Sequence, residues 1–334
     1  MSKKLKEVAF SILELAAIGE GLKASDVFQN SLSLAQHAES LGYKRFWLAE
    51  HHNMKSIASS ATSVLIGYIA QGTHKIRVGS GGIMLPNHSP LIVAEQFGTL
   101  GHLYPDRIDL GLGRAPGTDQ KTAHAIRSDR VSAVHSFPND IQEIQNYFSK
   151  NNKESSVRSY LSEGIDVPIY ILGSSTNSAY LAAKKGLPYV FASHFAPAQL
   201  QNALQIYHQN FQPSQFLSQP YTIAGINVIA ADTTEEAQYL STSMYKMILG
   251  VLTQNMDYLQ KATGMTPEIE KLRNHPSVNQ MLKYAFVGNK NEVKEQTQDF
   301  VNRFQVDEVI LTSYIYDQSA RLRSFEIFSE LMKA

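Results

Sequence analysis

RIDLGLGRAPGTD, residues 107–119, is the stretch from which the fold reads outward. Ile108, Leu110 and Leu112 alternate with Asp109, Gly111 and Gly113, the period of two expected of a strand with one nearly bare face. Pro116 then ends regular structure, and Gly117 permits a sharp change of direction. The bare face leaves room for a flat group, and Arg114 at the strand exit offers a donor fork suited to phosphate. The competing reading is a strand that closes against a bulky neighbour, with Arg114 solvated.

On either side of this stretch, strands and helices alternate. Strands are predicted at Val8–Leu13, Lys44–Ala49, Ile76–Leu85, Arg107–Gly113, Ile169–Leu172, Tyr189–Ala192, Thr222–Ala230 and Glu308–Thr312. Between them fall helical patterns such as Phe28, Leu32, Ala35 and Ala38 on one stripe, stopped at Gly42. Short joins without hairpin signals argue for a parallel sheet. Eight such units predict an α/β fold, a (β/α)8 TIM barrel, as a single domain over residues 1–334. Asn255–Ala285 is helical in composition and breaks the rhythm, so a helical excursion is expected between strands seven and eight. An open doubly wound sheet is the alternative, but Ile18-Gly19-Glu20-Gly21-Leu22 after the first strand lacks its dinucleotide fingerprint.

The 334 residues carry a formal net charge of zero, with 43% hydrophobic and 18% charged residues. Neither a basic surface for nucleic acid nor an acidic tail is indicated. With no cysteine in the chain, disulfides, thiolate metal sites and cysteine nucleophiles are excluded. The basic start has no signal-peptide pattern, since its apolar run is cut by Glu14. No apolar run reaches the ~18 residues of a membrane span. A cytoplasmic protein is expected.

In a barrel the active face lies at the C-terminal ends of the strands. Four clusters fall there together: Glu50-His51-His52-Asn53, Gly79-Ser80-Gly81-Gly82, Gly113-Arg114 and Gly173-Ser174-Ser175. Adjacent residues on a strand point apart, so His51 and His52 are poorly placed as joint ligands and no metal is expected. His51 instead suits a general acid or base at the mouth, with His52 hydrogen-bonded in the rim. Gly81 and Gly82 mark a bend or a close approach to a ligand. Ser174 and Ser175 precede a helix whose N-terminus either binds phosphate or is simply capped by them. Phe10, Trp47 and Phe195 either line a pocket or pack its wall.

FWLAEHHN, GSGGIMLPNHSP, AEQFGTL, RIDLGLGRAPGTD and LGSSTNSAYLAAKKGLPYVFASHF together resemble the bacterial-luciferase-like flavin monooxygenases, most of all their small single-chain oxidoreductase group. The resemblance runs from Val8 to Phe328. It implies a barrel that binds FMN, takes the reduced cofactor from a separate flavin reductase, and uses O2 on a small organic substrate as a homodimer. His51 matches the catalytic histidine of the EHH segment. Gly81-Gly82 match a non-prolyl cis peptide beneath the flavin ring. Arg114 matches the flavin-phosphate arginine, Gly173 and Ser174 match the phosphate-facing helix start with Ser175 alongside, and Arg127 is carried over as a second phosphate ligand. Gly113 stands where luciferase has a reactive cysteine, and Gly173 where it has a glutamate, so light emission is not implied. A deazaflavin (F420)-dependent dehydrogenase and a non-catalytic flavin-binding protein are the alternatives, with a metal hydrolase behind them.

Overall fold

The computed structural model describes residues 3–115, 117–127 and 130–333. The first half runs β1 (Ala9–Glu14), α1 (Ala24–Leu41), β2 (Arg45–Leu48), α2 (Thr62–Gln71), β3 (Arg77–Ser80), β4 (Ile83–Met84), α3 (Pro90–Leu103), β5 (Ile108–Gly113), α4 (Gln120–Ile126) and α5 (Arg130–Phe148). Then come β6 (Ile169–Gly173), α6 (Thr176–Lys185), β7 (Tyr189–Phe191), α7 (Leu200–Asn210), β8 (Thr222–Ala230) and α8 (Thr234–Leu252). The chain ends with α9 (Pro267–Arg273), α10 (Pro276–Met281), β9 (Ala285–Gly288), α11 (Lys290–Phe304), β10 (Glu308–Thr312) and α12 (Gln318–Ser329).

Parallel pairings join β1 to β2, β2 to β3, β3 and β4 to β5, and then β5, β6, β7, β8 and β10 in turn. β10 pairs back onto β1, which closes the sheet into a barrel of eight staves. β3 and β4 are two halves of the third stave. The excursion lies between the seventh and eighth staves, as expected, but it is not wholly helical. α9 and α10 are short, and β9 pairs in parallel with the outer half of the nine-residue β8 (Asn227↔Ala285). The sequence reading ended the excursion at Ala285 and placed no strand over Ala285–Gly288, where the overhang of β8 supplies the pairing partner. α4 also lies where the sequence analysis placed no helix.

The alternation in β5 divides the barrel into two layers. Ile108, Leu110 and Leu112 face the helices in the main core, with Phe46, Val78, Ile171 and Leu311. Leu13, Trp47, Ala49, Tyr170, Val190, Ile223 and Ile310 form a separate cluster inside the barrel. Trp47 is fully buried and packs the interior, whereas Phe195 is exposed. The bare face of β5 leaves no open room at its centre, because a Cβ on Gly111 would collide with the Ser80 carbonyl. Close approach of the third stave to β5 is therefore what this glycine serves.

A buried ion network sits beneath that cluster, near the strand starts. Arg45 donates to Glu308 Oε1 (2.7 Å), Asp109 Oδ2 (2.7 Å) and the Tyr170 hydroxyl (2.8 Å). Trp47 Nε1 donates to Asp109 Oδ2 (3.0 Å) and Tyr221 to Glu308 Oε2 (2.7 Å). Charges this deep persist only when paired and hydrogen-bonded, and every member here is.

Candidate active site

Register fixes which groups meet at the C-terminal mouth. Met84, Gly113, Leu172 and Val190 stand abreast on β4, β5, β6 and β7. One residue further on, Arg114 leaves β5 beside Gly173 of β6, on strands about 4.8 Å apart. Arg114 is exposed, and its guanidinium has no partner among the described residues. Ser175 is the N-cap of α6 in extended conformation, yet its side chain makes no capping bond. Its carbonyl instead accepts from Ser178 Oγ (2.7 Å) and the Tyr189 hydroxyl (3.1 Å). The hydroxyls of Ser174 and Ser175 thus have no hydrogen-bond partner among the described residues, and they stand with the first-turn N–H groups of α6 at the mouth. Hydroxyls, helix N–H groups and one guanidinium form a donor set that fits a phosphate monoester.

The Gly81–Gly82 peptide, between β3 and β4, is cis. Its underside packs on the interior cluster: a Cβ on Gly81 would stand 3.2 Å from Trp47 Cβ. The third stave therefore turns over the inner cluster and presents bare backbone at the mouth.

His51 lies in the loop after β2, and Nδ1 donates to the Gly117 carbonyl (3.3 Å). That bond puts its hydrogen on Nδ1 and leaves Nε2 as the acceptor. Burial holds the imidazole below its usual range, against the opposing pull of the Gly117 bond and the Glu50 charge. Glu50 itself is buried, and its Oε1 accepts from His52 Nε2 and His88 Nε2, both at 2.8 Å. Burial alone would raise this carboxyl. Bonds from both imidazoles, the His88 charge and the Met84 N–H outweigh it and hold the group at about 2.

Each expected site residue has a defined place. Arg114 and Gly173–Ser175 come together through strand register, and His51 is fastened to the loop after β5. Arg127 ends α4 and donates to the His88 carbonyl (2.9 Å). His52 is hydrogen-bonded in the rim, as expected, to Glu50 of its own cluster, but the third member, His88, was not anticipated from the sequence. Nor was His194, just after β7. Its ring lies against Gly225, its carbonyl accepts from Asn227 Nδ2 (2.6 Å), and Nδ1 is buried without a partner. Burial pushes this imidazole down to about 4, with His51 adding to the effect. The available signals were a histidine at a strand end (His194) and one between two prolines (His88).

The sequence profile of the "Luciferase-like monooxygenase" family matches residues 8–307. An Escherichia coli (strain K12) protein named luciferase-like monooxygenase is 46% identical over 322 residues, covering 96% of each chain. N-acetyl-S-alkylcysteine monooxygenase of Bacillus subtilis (strain 168) is 32% identical over 98% of this chain and 99% of its own. The crystal structure of apo-MsnO8 superposes with a TM-score of 0.90 at 32% identity, covering 98% of both chains. The chain belongs to the luciferase-like monooxygenase family. It is a monooxygenase-type oxidoreductase.

Proposed function

We propose that the mouth holds FMN with its phosphate on Arg114, Gly173, Ser174 and Ser175, Arg127 as a second phosphate ligand, and Gly81–Gly82 beneath the ring. The observation that carries this reading is Arg114 beside two serine hydroxyls on the neighbouring strand end, all three without a side-chain partner among the described residues. Reduced FMN, when bound, supplies the electrons with which O2 is activated and one oxygen atom is delivered to the substrate. His51 acts on the substrate side: its Nε2, unprotonated over a wide pH range, accepts or returns a proton at the reacting atom. The Gly117 bond keeps the ring in that tautomer.

The substrate is a small organic molecule. Because a 32% identical relative is named for N-acetyl-S-alkylcysteine, thioethers are the first class to screen. A separate flavin reductase, a homodimer and a cytoplasmic location accompany the family reading. The test is O2 consumption by purified protein supplied with FMN, an unrelated flavin reductase and NADH, over a thioether panel. Substrate-dependent oxygenated product supports the reading, while turnover with a deazaflavin alone would overturn it.

A further inference from the structure

We infer that Glu50 is a positioning residue of the active site: its buried carboxylate joins the loops after the second and third staves, and backbone contacts tie the loop after the fourth to them, in the single unit that holds His51. The side chain is 1% exposed. Oε1 accepts from His52 Nε2 of its own loop and from His88 Nε2 beyond β4, and Oε2 accepts from the Met84 N–H (3.1 Å). The third loop arrives through the backbone. Gly117 (φ +62°) approaches so near that a Cβ would stand 2.7 Å from the Glu50 carbonyl oxygen. Its own carbonyl accepts from the His52 N–H (3.3 Å) and from His51 Nδ1 (3.3 Å), and Thr118 Oγ1 donates to the His52 carbonyl (2.9 Å). Arg127 joins through the His88 carbonyl (2.9 Å).

A buried carboxylate must find donors, and here they come from two separate loops. Discharging it removes the reason for the His88 loop to stand against the His51 loop. Glu50 also acts on its neighbour at short range, because its negative charge favours the protonated form of His51. His52 opposes that charge at His51, while the nearby His194, held low by its own burial, is itself pushed down further by His51.

The three ligand atoms of Glu50, His52 and His88 lie within 4.8 Å of one another, a spacing that a divalent cation also accepts. The hydrogen-bonded arrangement differs from a metal site in one respect. Both Nε2 atoms carry hydrogens aimed at a single oxygen, which a metal would have to displace.

The consequence for turnover rests on the reading of His51 above, so the test is made on protein without flavin. Histidine NMR titration, with His51 assigned through His51→Asn, compares wild type with Glu50→Gln. The His51 transition is expected at lower pH in the variant; an unmoved transition in folded E50Q overturns the inference. Should E50Q not fold, His88→Gln is followed by amide hydrogen exchange. Exchange at residues 51–53 and 117–118, which His88 does not touch, is expected to quicken on the order of tenfold; unchanged exchange there overturns the inference. Calorimetry with zinc(II) completes the set. No stoichiometric binding is expected, and one zinc per chain that is lost in E50Q would replace the hydrogen-bonded hub with a metal site. Failure of wild type to bind FMN would count against the flavin reading while leaving these results standing.

Discussion

Arg114→Ala should separate binding of the flavin phosphate from binding of the flavin ring. Arg114 is exposed at the end of β5 and has no protein partner among the described residues, so its removal breaks no internal contact. Stability should stay within about 0.5 kcal/mol of wild type, as for other surface changes. A charge-assisted hydrogen bond to phosphate contributes about 1.5–3 kcal/mol. With the guanidinium partly in water, one such bond, about 2 kcal/mol, is the appropriate figure, or roughly 30-fold in Kd. The assay is fluorescence titration with two ligands, FMN and riboflavin, which differ only in the phosphate. Wild type should prefer FMN. The variant should lose about 30-fold for FMN and almost nothing for riboflavin. Arg114→Lys should restore part of the difference, since an ammonium supplies the charge without the fork. Equal loss for both ligands, or no loss for FMN, would refute phosphate recognition by this residue.

Three further outcomes follow from the same geometry. His51→Asn should leave FMN affinity intact while lowering turnover by about 10²–10⁴, the range for a lost general acid or base; rapid-quench product analysis on the identified substrate reads it. Gly225→Ala drives a methyl group into the His194 ring, an overpacking that should cost about 1–3 kcal/mol in urea unfolding. His194 also makes stability depend on pH. Burial pushes it down to about 4 from an ordinary value of 6.5, so the unfolded chain takes up the proton first as pH falls. Its contribution is present above about 6.5 and is lost between there and about 4; His194→Asn should flatten the wild-type slope of urea stability across that window.

The barrel was legible because its signals are local. Ile108, Leu110 and Leu112 alternate with small residues whether or not the partner strands are known, and the strand–helix rhythm repeats often enough to count eight staves. Arg114, His51, Gly81–Gly82 and Ser174–Ser175 could be named because each sits at a strand end, where this architecture puts its chemistry. What failed to read locally was whatever depends on a neighbour. Ala285–Gly288 is a strand only because β8 overruns the barrel. Glu50 looked like part of a motif with His51 and His52 while its second imidazole, His88, lay 38 residues away. The bareness of Gly111 suggested room for a ligand, whereas the third stave lies against it.

Sequence alone therefore determined the periodicities, the order of strands and helices, and the residue types gathered at one end of the barrel. Backbone sterics and side-chain burial act over a few residues and leave their mark in the order of the letters. Tertiary structure alone decided that Arg45 and Glu308, 263 residues apart, share a buried network, that Arg114 stands beside Gly173, and that Glu50 answers to His88. Those contacts depend on register across closed parallel strands, and register is settled by all eight staves at once.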